Sequence, residues 1–142
     1  MPAPRPIVPG LFTTTGAEPR LVAARCQTCA RLQFPATTSC AYCGGTDCHE
    51  REVGPAGILF LFTSVATRPP GYRGTVPFGF GVVELPEGLR VVTRLTESDV
   101  TMLRPGQPMR LVVEPLCTDD DGTHVLSYAF APESPSPARE PA

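Results

Sequence analysis

From residue 53 onward, short apolar runs alternate with turn residues, a pattern that predicts an all-β sandwich or barrel. In the third run, Arg90 and Arg94 fall on one face of the predicted strand. Val91, Thr93 and Leu95 fall on the other face, as expected when one side of a strand is buried. The pattern therefore predicts five strands in this part of the chain. They cover residues 57–65, 79–85, 89–95, 109–116 and 124–130.

A short helix is predicted between the third and fourth strands. Thr96 and Asp99 have the spacing of a capping box ahead of the apolar residues 100–103, so one or two helical turns fit there. In the second strand, Gly79 and Gly81 indicate a bulge or a sharp coil of the sheet. Five short strands with a helix before the fourth are compatible with an OB-type barrel.

The flanking segments differ in composition from the barrel region. Residues 1–20 contain five prolines, which disfavour a helix or an interior strand. This segment is therefore predicted to be an extended N-terminal arm, whose apolar residues pack on the protein's own surface. Residues 21–52 are predicted to form a small ribbon and residues 53–131 an OB-fold domain with a core of its own. Prolines and small polar residues over 132–142 predict a disordered tail.

The ribbon carries two cysteine pairs, each separated by two residues. This spacing lets one tight turn direct both sulfurs at a single ion, and two facing turns complete a tetrahedron. A structural zinc contributes roughly 10 to 16 kcal/mol, enough to replace a core that so small a segment lacks. The alternatives to a metal site are disulfides or free thiols. Cys48, His49 and Cys117 are predicted not to be ligands. The predicted ligands are Cys26, Cys29, Cys40 and Cys43.

Charge and hydropathy argue against a nucleic-acid partner and against a membrane span. The net charge is −2, all twelve basic residues are arginine, and they form no basic run, so nucleic acid is a poor candidate partner. No apolar stretch approaches the roughly 20 residues of a membrane span. We therefore expect a cytoplasmic protein without membrane association, in which six cysteines are ligands or thiols rather than disulfides.

Several short motifs follow one another along the chain: Arg25-Cys26-x-x-Cys29, Phe34-Pro35, Cys40-x-x-Cys43, Gly57, Pro70-Gly71-Tyr72, Pro77-Phe78, Val83-Glu84-Leu85, Gly88 and Leu103-Arg104-Pro105-Gly106. Their order and spacing resemble those of the DUF35 family, OB-fold proteins with an N-terminal rubredoxin-like zinc ribbon. The resemblance covers about residues 11–132. The sequence departs from the family pattern at Ala30, where glycine is common, and by a short arm in place of an N-terminal helix.

The resemblance implies a non-catalytic accessory subunit of a thiolase-fold enzyme (a thiolase, aldolase or synthase) or of an enoyl-CoA hydratase, in a hetero-oligomer. It implies one structural zinc per chain and a coenzyme A thioester as ligand. The proline-rich connection over residues 68–77 is the predicted binding loop, in which Arg68 and Arg73 pair with phosphates and Tyr72 stacks on adenine or enters the partner. The alternative is a stiff solvent loop.

Two further functions use the same features. Four thiolates also hold iron, which would make the protein a rubredoxin-like electron carrier. An OB barrel with Phe60, Phe62 and Phe80 could also stack the bases of a single-stranded nucleic acid, although the chain lacks a basic groove. Metal analysis and co-purification distinguish these alternatives from the accessory subunit.

Overall fold

The structure, a computed structural model, describes residues 3–133, and its regular secondary structure is almost entirely β-strand. Most of the predicted tail, from residue 134 onward, lies outside the described residues. Within the described part, no helix has the length and hydropathy of a membrane span. The strands are β1 (Arg5–Pro6), β2 (Phe12–Thr13), β3 (Arg20–Cys26), β4 (Leu32–Gln33), β5 (Cys48–Val53), β6 (Ala56–Val65), β7 (Phe78–Glu84), β8 (Arg90–Leu95), β9 (Pro108–Thr118) and β10 (His124–Pro132).

Strands β6 to β10 form a closed barrel. The strand order is β6-β7-β8-β10-β9, and β9 pairs with β6 to close the ring. Only β8 and β10 are parallel within this ring; the other neighbours are antiparallel. This is the arrangement of a five-stranded OB-fold, and it confirms the predicted fold class. Strand β1 adds to the outside of the ring by pairing in parallel with β10.

The bulge between β6 and β7 lies in β6 and not in the glycine-containing strand β7. The β6–β7 register shifts between Leu59 and Leu61, which leaves Phe60 as the extra residue. The glycines of β7 permit close approach of backbones: a Cβ on Gly81 would lie 2.2 Å from the Leu61 carbonyl oxygen, and one on Gly79 would lie 2.0 Å from that of Glu97. They therefore allow the sharp coil that the sequence indicates.

The predicted helix is a single 3-10 turn over Val100–Met102, so the capping-box prediction was wrong in its details. Asp99 caps the turn, with its carboxylate accepting from the Thr101 amide at 3.0 Å. Thr96 is not the cap, because its amide donates to the Phe130 carbonyl and extends the barrel. The turn ends at Leu103, whose buried side chain belongs to the core.

The ribbon is a small sheet around β3, which pairs with β2, β4 and β5. Its core is not separate from that of the barrel. Leu21, Leu32 and Val53 of the ribbon belong to one buried cluster with the barrel residues, and Phe34 packs edge-on against Tyr128 of β10 with ring centroids 5.5 Å apart. The two parts therefore share one hydrophobic core, which the sequence pattern did not predict.

Candidate metal centre and interaction surfaces

The two cysteine turns have the same backbone geometry. In the first, the Ala30 amide donates to the Cys26 carbonyl at 2.8 Å; in the second, the Gly44 amide donates to the Cys40 carbonyl at 3.0 Å. Each turn then needs a residue with positive φ directly after its second cysteine. Gly44 provides it with φ of 76°, and Ala30 adopts φ of 67° despite its Cβ. The turns thus present their sulfurs in equivalent positions.

The four sulfurs converge on one point. The Cys26 and Cys43 sulfurs are 3.6 Å apart, as are those of Cys29 and Cys40, and all four lie within 4.8 Å of one another. A tetrahedron with zinc–sulfur bonds of about 2.3 Å has an edge of about 3.8 Å, so the sulfur set has the size of a zinc site. All four are free cysteines in this arrangement.

The electrostatics of the cluster favour a cation at its centre. The Cys29 amide donates to the Cys26 sulfur and lowers the pKa of that thiol to about 6, and the Cys43 amide similarly lowers the pKa of Cys40. At Cys43 the Gly45 amide acts in the same direction, but the neighbouring cysteine sulfurs and burial outweigh it and raise the pKa to about 12. Four crowded sulfurs therefore resist full ionisation until a cation neutralises them.

The other candidate ligands lie outside the cluster. Cys48 in β5 is the strand partner of Cys26 in β3. The Nε2 atom of His49 lies within hydrogen-bond distance of Asp47 Oδ1, at 2.8 Å. Cys117 is in β9 of the barrel. In residues 3–133, the four-cysteine group is the only cluster with metal-ligand geometry.

The loop over residues 68–77 is held by its own polar groups. The Arg68 guanidinium donates to the carbonyls of Tyr72 and Gly74, and the Tyr72 hydroxyl donates to the Thr75 carbonyl at 3.0 Å. The Tyr72 ring packs against Phe78 with centroids 4.6 Å apart. The loop is thus a fixed structure, in which Arg68 serves the loop itself.

A cleft of about 270 Å³ adjoins this loop and β1. Arg73 faces it and pairs with Asp119 at 2.9 Å, while the Arg73 side chain stays 51% exposed. Arg5 pairs with the same carboxylate. Hydrogen bonds from Arg5, and secondly from Arg73, lower the pKa of Asp119. Tyr72 and Arg73 therefore line one cleft, whereas Arg68 is not among its lining residues. The cleft is completed by Arg5, Ile7, Gly71, Leu116, Cys117 and Val125.

The outer side of β6, β7 and β8 carries an apolar surface, of which the sequence reasoning named only Phe60 and Phe80, as possible base-stacking residues. In the middle, Leu61 stands opposite Val82, which in turn stands opposite Val92. Leu61 is 56% exposed and Val92 is 59% exposed. The signal in the sequence is the unbroken apolar run of β6, where alternation would have placed polar residues outside. We name this surface the apolar face; its exposed members are Ile58, Phe60, Leu61, Phe80 and Val92.

Charged groups at the border of the apolar face are paired with one another. Arg90 bonds Glu84 at 3.4 Å and lies 4.0 Å above the Phe60 ring. Arg94 pairs with Glu114 at 3.3 Å. The border therefore presents balanced charge and not a cationic rim, which suits a protein surface better than a polyanion.

Comparisons with known proteins match both parts of the chain. The model of the "ChsH2, rubredoxin-like zinc ribbon domain" matches residues 15–49, and that of the "ChsH2, C-terminal OB-fold domain" matches residues 50–114. The benzoylsuccinyl-CoA thiolase subunit BbsA of Thauera aromatica is 30% identical over 115 residues, which cover 81% of this chain and 78% of that protein.

Two further matches have similar extent. A DUF35 domain-containing scaffold protein of Pyrococcus furiosus is 27% identical over 114 residues, covering 80% of this chain and 83% of that protein. The solved structure of the Ltp2-ChsH2(DUF35) aldolase superposes with a TM-score of 0.62 at 27% identity, covering 80% of this chain and 84% of that chain.

Proposed function

Because the chain belongs to the DUF35 family, with a ChsH2-type zinc ribbon and OB-fold domain, we propose that it is a non-catalytic accessory subunit of an acyl-CoA-processing complex. Its partner in this proposal is a thiolase-fold enzyme subunit in the cytoplasm. The relatives support this choice by their names, which are those of a thiolase subunit, a scaffold protein and an aldolase complex.

The observation that carries the proposal is the apolar face. Soluble monomers rarely expose contiguous apolar surface of this kind, and such patches mark interaction sites. Five large hydrophobic side chains on three neighbouring strands are exposed there, and the charges at the border are internally paired. A thiolase-fold subunit is the occupant that this surface and the relatives favour together.

In the described residues, neither of the two histidines hydrogen-bonds a cysteine. His49 bonds Asp47, and His124 contacts the Thr118 hydroxyl at 3.3 Å. Cys117 stands opposite Val125 and therefore points to the other side of the sheet from His124. This supports a subunit whose chemistry resides in its partner, and we expect the purified chain to release no coenzyme A from acetyl-CoA.

For the metal, we propose that Cys26, Cys29, Cys40 and Cys43 hold one structural zinc ion. When bound, the ion cross-links the two turns and neutralises the thiolates. The chain contributes the sulfur tetrahedron and the amides that donate to it, Thr28 to Cys26 at 3.4 Å and Tyr42 to Cys40 at 3.3 Å. Metal analysis of the purified protein tests this, because iron in place of zinc would support the electron-carrier alternative.

We also propose that the cleft beside residues 68–77 contacts the acyl-CoA held by the partner. Its support is a fixed loop, the half-exposed side chain of Arg73 and the aromatic ring of Tyr72 at one cleft. In the assembled complex, Arg73→Ala should weaken acyl-CoA binding several-fold. Arg51→Ala, an exposed arginine of β5, is the control. Equal affinities of both variants and the wild type would remove the cleft from the binding site.

The docking surface is tested by charge insertion. The partner recovered with the wild-type chain from its native cells is identified by mass spectrometry, purified and titrated with the variants. Leu61→Asp and Val92→Asp should each weaken binding at least about tenfold, since both would bury an unpaired carboxylate. Val8→Asp changes an exposed valine outside the apolar face and should bind normally. Recovery of a protein without a thiolase fold, or unchanged binding by both variants, would contradict the proposal.

A further inference from the structure

A fifth cysteine stands directly opposite one of the four proposed ligands. Strands β3 and β5 are antiparallel, and Cys26 and Cys48 are register partners. Residues that face each other in this way project to the same side of the sheet. Cys48 is therefore adjacent to the sulfur cluster without belonging to it, and neither the proposed accessory role nor the zinc site uses its thiol.

The backbone hydrogen bonds around Cys26 and Cys48 show whether the two residues form a hydrogen-bonded or a non-hydrogen-bonded pair of the antiparallel strands. The Cys26 amide donates to the Arg31 carbonyl at 3.0 Å, away from β5, and the Gln27 amide donates to the Asp47 carbonyl at 2.8 Å. The bonds between the strands thus flank the two cysteines, so they form a non-hydrogen-bonded pair. In such pairs the Cα atoms are about 4.5 Å apart, within the range of about 4.4 to 6.8 Å that a disulfide requires.

We propose that Cys48 is an oxidative modification site, which forms a disulfide with Cys26 in the presence of peroxide and thereby releases the zinc ion. The inference rests on the zinc site proposed above. Cys48 is half-buried and is the accessible partner, whereas Cys26 is only 1% exposed. Loss of one of four thiolates leaves three ligands, which cannot complete the closed tetrahedron of a structural site.

The chemistry is balanced with peroxide as the oxidant. The Cys48 sulfur attacks one oxygen of hydrogen peroxide, the O–O bond breaks, and a sulfenic acid and water result. The Cys26 sulfur then attacks the sulfenic sulfur, the S–S bond forms, and hydroxide leaves and takes up a proton. In sum, two thiols lose two electrons and one peroxide becomes two molecules of water.

A second cysteine outside the cluster allows a comparison. Cys117, the other cysteine outside the cluster, lies in β9 of the barrel and stands opposite Val125, so it has no cysteine as its strand partner. It provides a matched control for the reactivity of a half-buried thiol in the same chain.

The test uses the full, zinc-loaded chain treated with increasing hydrogen peroxide. Released zinc is measured with a chromogenic chelator, and disulfides are mapped after digestion at arginine and before aspartate. This digestion separates residues 26–31, 32–46 and 47–51, so a link to Cys48 is distinguished from links to Cys40 and Cys43. Fragmentation of the linked peptide separates Cys26 from Cys29.

We expect both the wild type and Cys117→Ser to lose zinc as the Cys26–Cys48 disulfide forms. Treatment with dithiothreitol and added zinc should then restore the bound metal. Cys48→Ser should lose zinc at least about tenfold more slowly. Zinc loss from Cys48→Ser at the wild-type rate, or a link between other cysteines, would overturn the proposal. A chain that purifies without zinc would contradict the metal assignment, and the disulfide map would still decide the pairing.

Discussion

At the scale of single residues, the most informative position is Ala30. It occupies the left-handed region with φ of 67°, where its counterpart in the other cysteine turn is Gly44. An L-residue in this region costs about 1 to 2 kcal/mol. The conformation turns the chain back after the second cysteine, so that the Arg31 carbonyl accepts from the Cys26 amide at 3.0 Å. The departure from the family pattern is therefore a departure in residue type and not in backbone shape.

Ala30→Gly should accordingly stabilise the zinc-loaded protein. Relief of the left-handed conformation is partly offset by about 0.5 to 1 kcal/mol from the greater freedom of glycine in the unfolded chain, which leaves a net gain of roughly 0.5 to 1 kcal/mol. Gly44→Ala is the reciprocal change and should destabilise by a similar amount. Denaturant unfolding measures both. An Ala30→Gly protein no more stable than wild type would contradict this account.

Asp119 provides the second prediction at this scale. Hydrogen bonds from Arg5 and then Arg73 lower the pKa of its carboxyl, so the folded pKa lies below the unfolded value of about 3.9. The resulting stabilisation is complete above the unfolded pKa and is lost as the pH falls through the folded one. The urea midpoint of unfolding at pH 7 should therefore be higher for the wild type than for Asp119→Asn. The difference between the two midpoints should narrow at pH 3.5. Asp120→Asn, in the same turn, is the control; a difference independent of pH would refute the ion-pair explanation.

At the scale of elements, the sequence pattern was sufficient for the barrel strands and the cysteine turns. Alternation and turn residues locate strands such as β8 because each strand has one buried face. The pattern was not sufficient for the 3-10 turn, where the Thr96 amide joins the barrel and overrides the local capping signal. Beyond Phe60 and Phe80, it did not predict the apolar face, since an apolar run predicts burial in the chain itself and cannot reveal a surface kept for a partner.

The glycines of β7 allow the coil of the barrel to be tested. A Cβ at Gly81 would meet the Leu61 carbonyl oxygen at 2.2 Å, and backbone at a bulge cannot move away as a side chain can. We expect Gly81→Ala to destabilise the protein by about 2 kcal/mol or more in denaturant unfolding. Gly16→Ala, whose nearest neighbour would be the Glu18 carbonyl oxygen at 3.7 Å, should be nearly neutral. Equal stability of the two variants would mean that β7 does not need this close approach.

At the scale of the whole molecule, the shared core couples the ribbon to the barrel. Leu21 and Val53 are fully buried in the cluster that also contains Phe130 of β10, and Arg110 of β9 pairs with Glu18, which lies between β2 and β3 of the ribbon. The sequence suggested a barrel with a core of its own. In the structure, the barrel's apolar interior instead continues into the ribbon, so loss of the proposed zinc would affect packing on both sides of the boundary.

Removal of zinc by a chelator should therefore destabilise the barrel as well as the ribbon. The ribbon is too small to remain ordered without its metal, and its unfolding would expose the side of the core that Leu21, Leu32 and Phe34 cover. We expect amides of β8 and β10 to exchange with deuterium at least about tenfold faster in the metal-free chain, and re-addition of zinc to restore protection. Protection that is lost over β3 to β5 but unchanged in β8 and β10 would show instead that the barrel is independent of the ribbon.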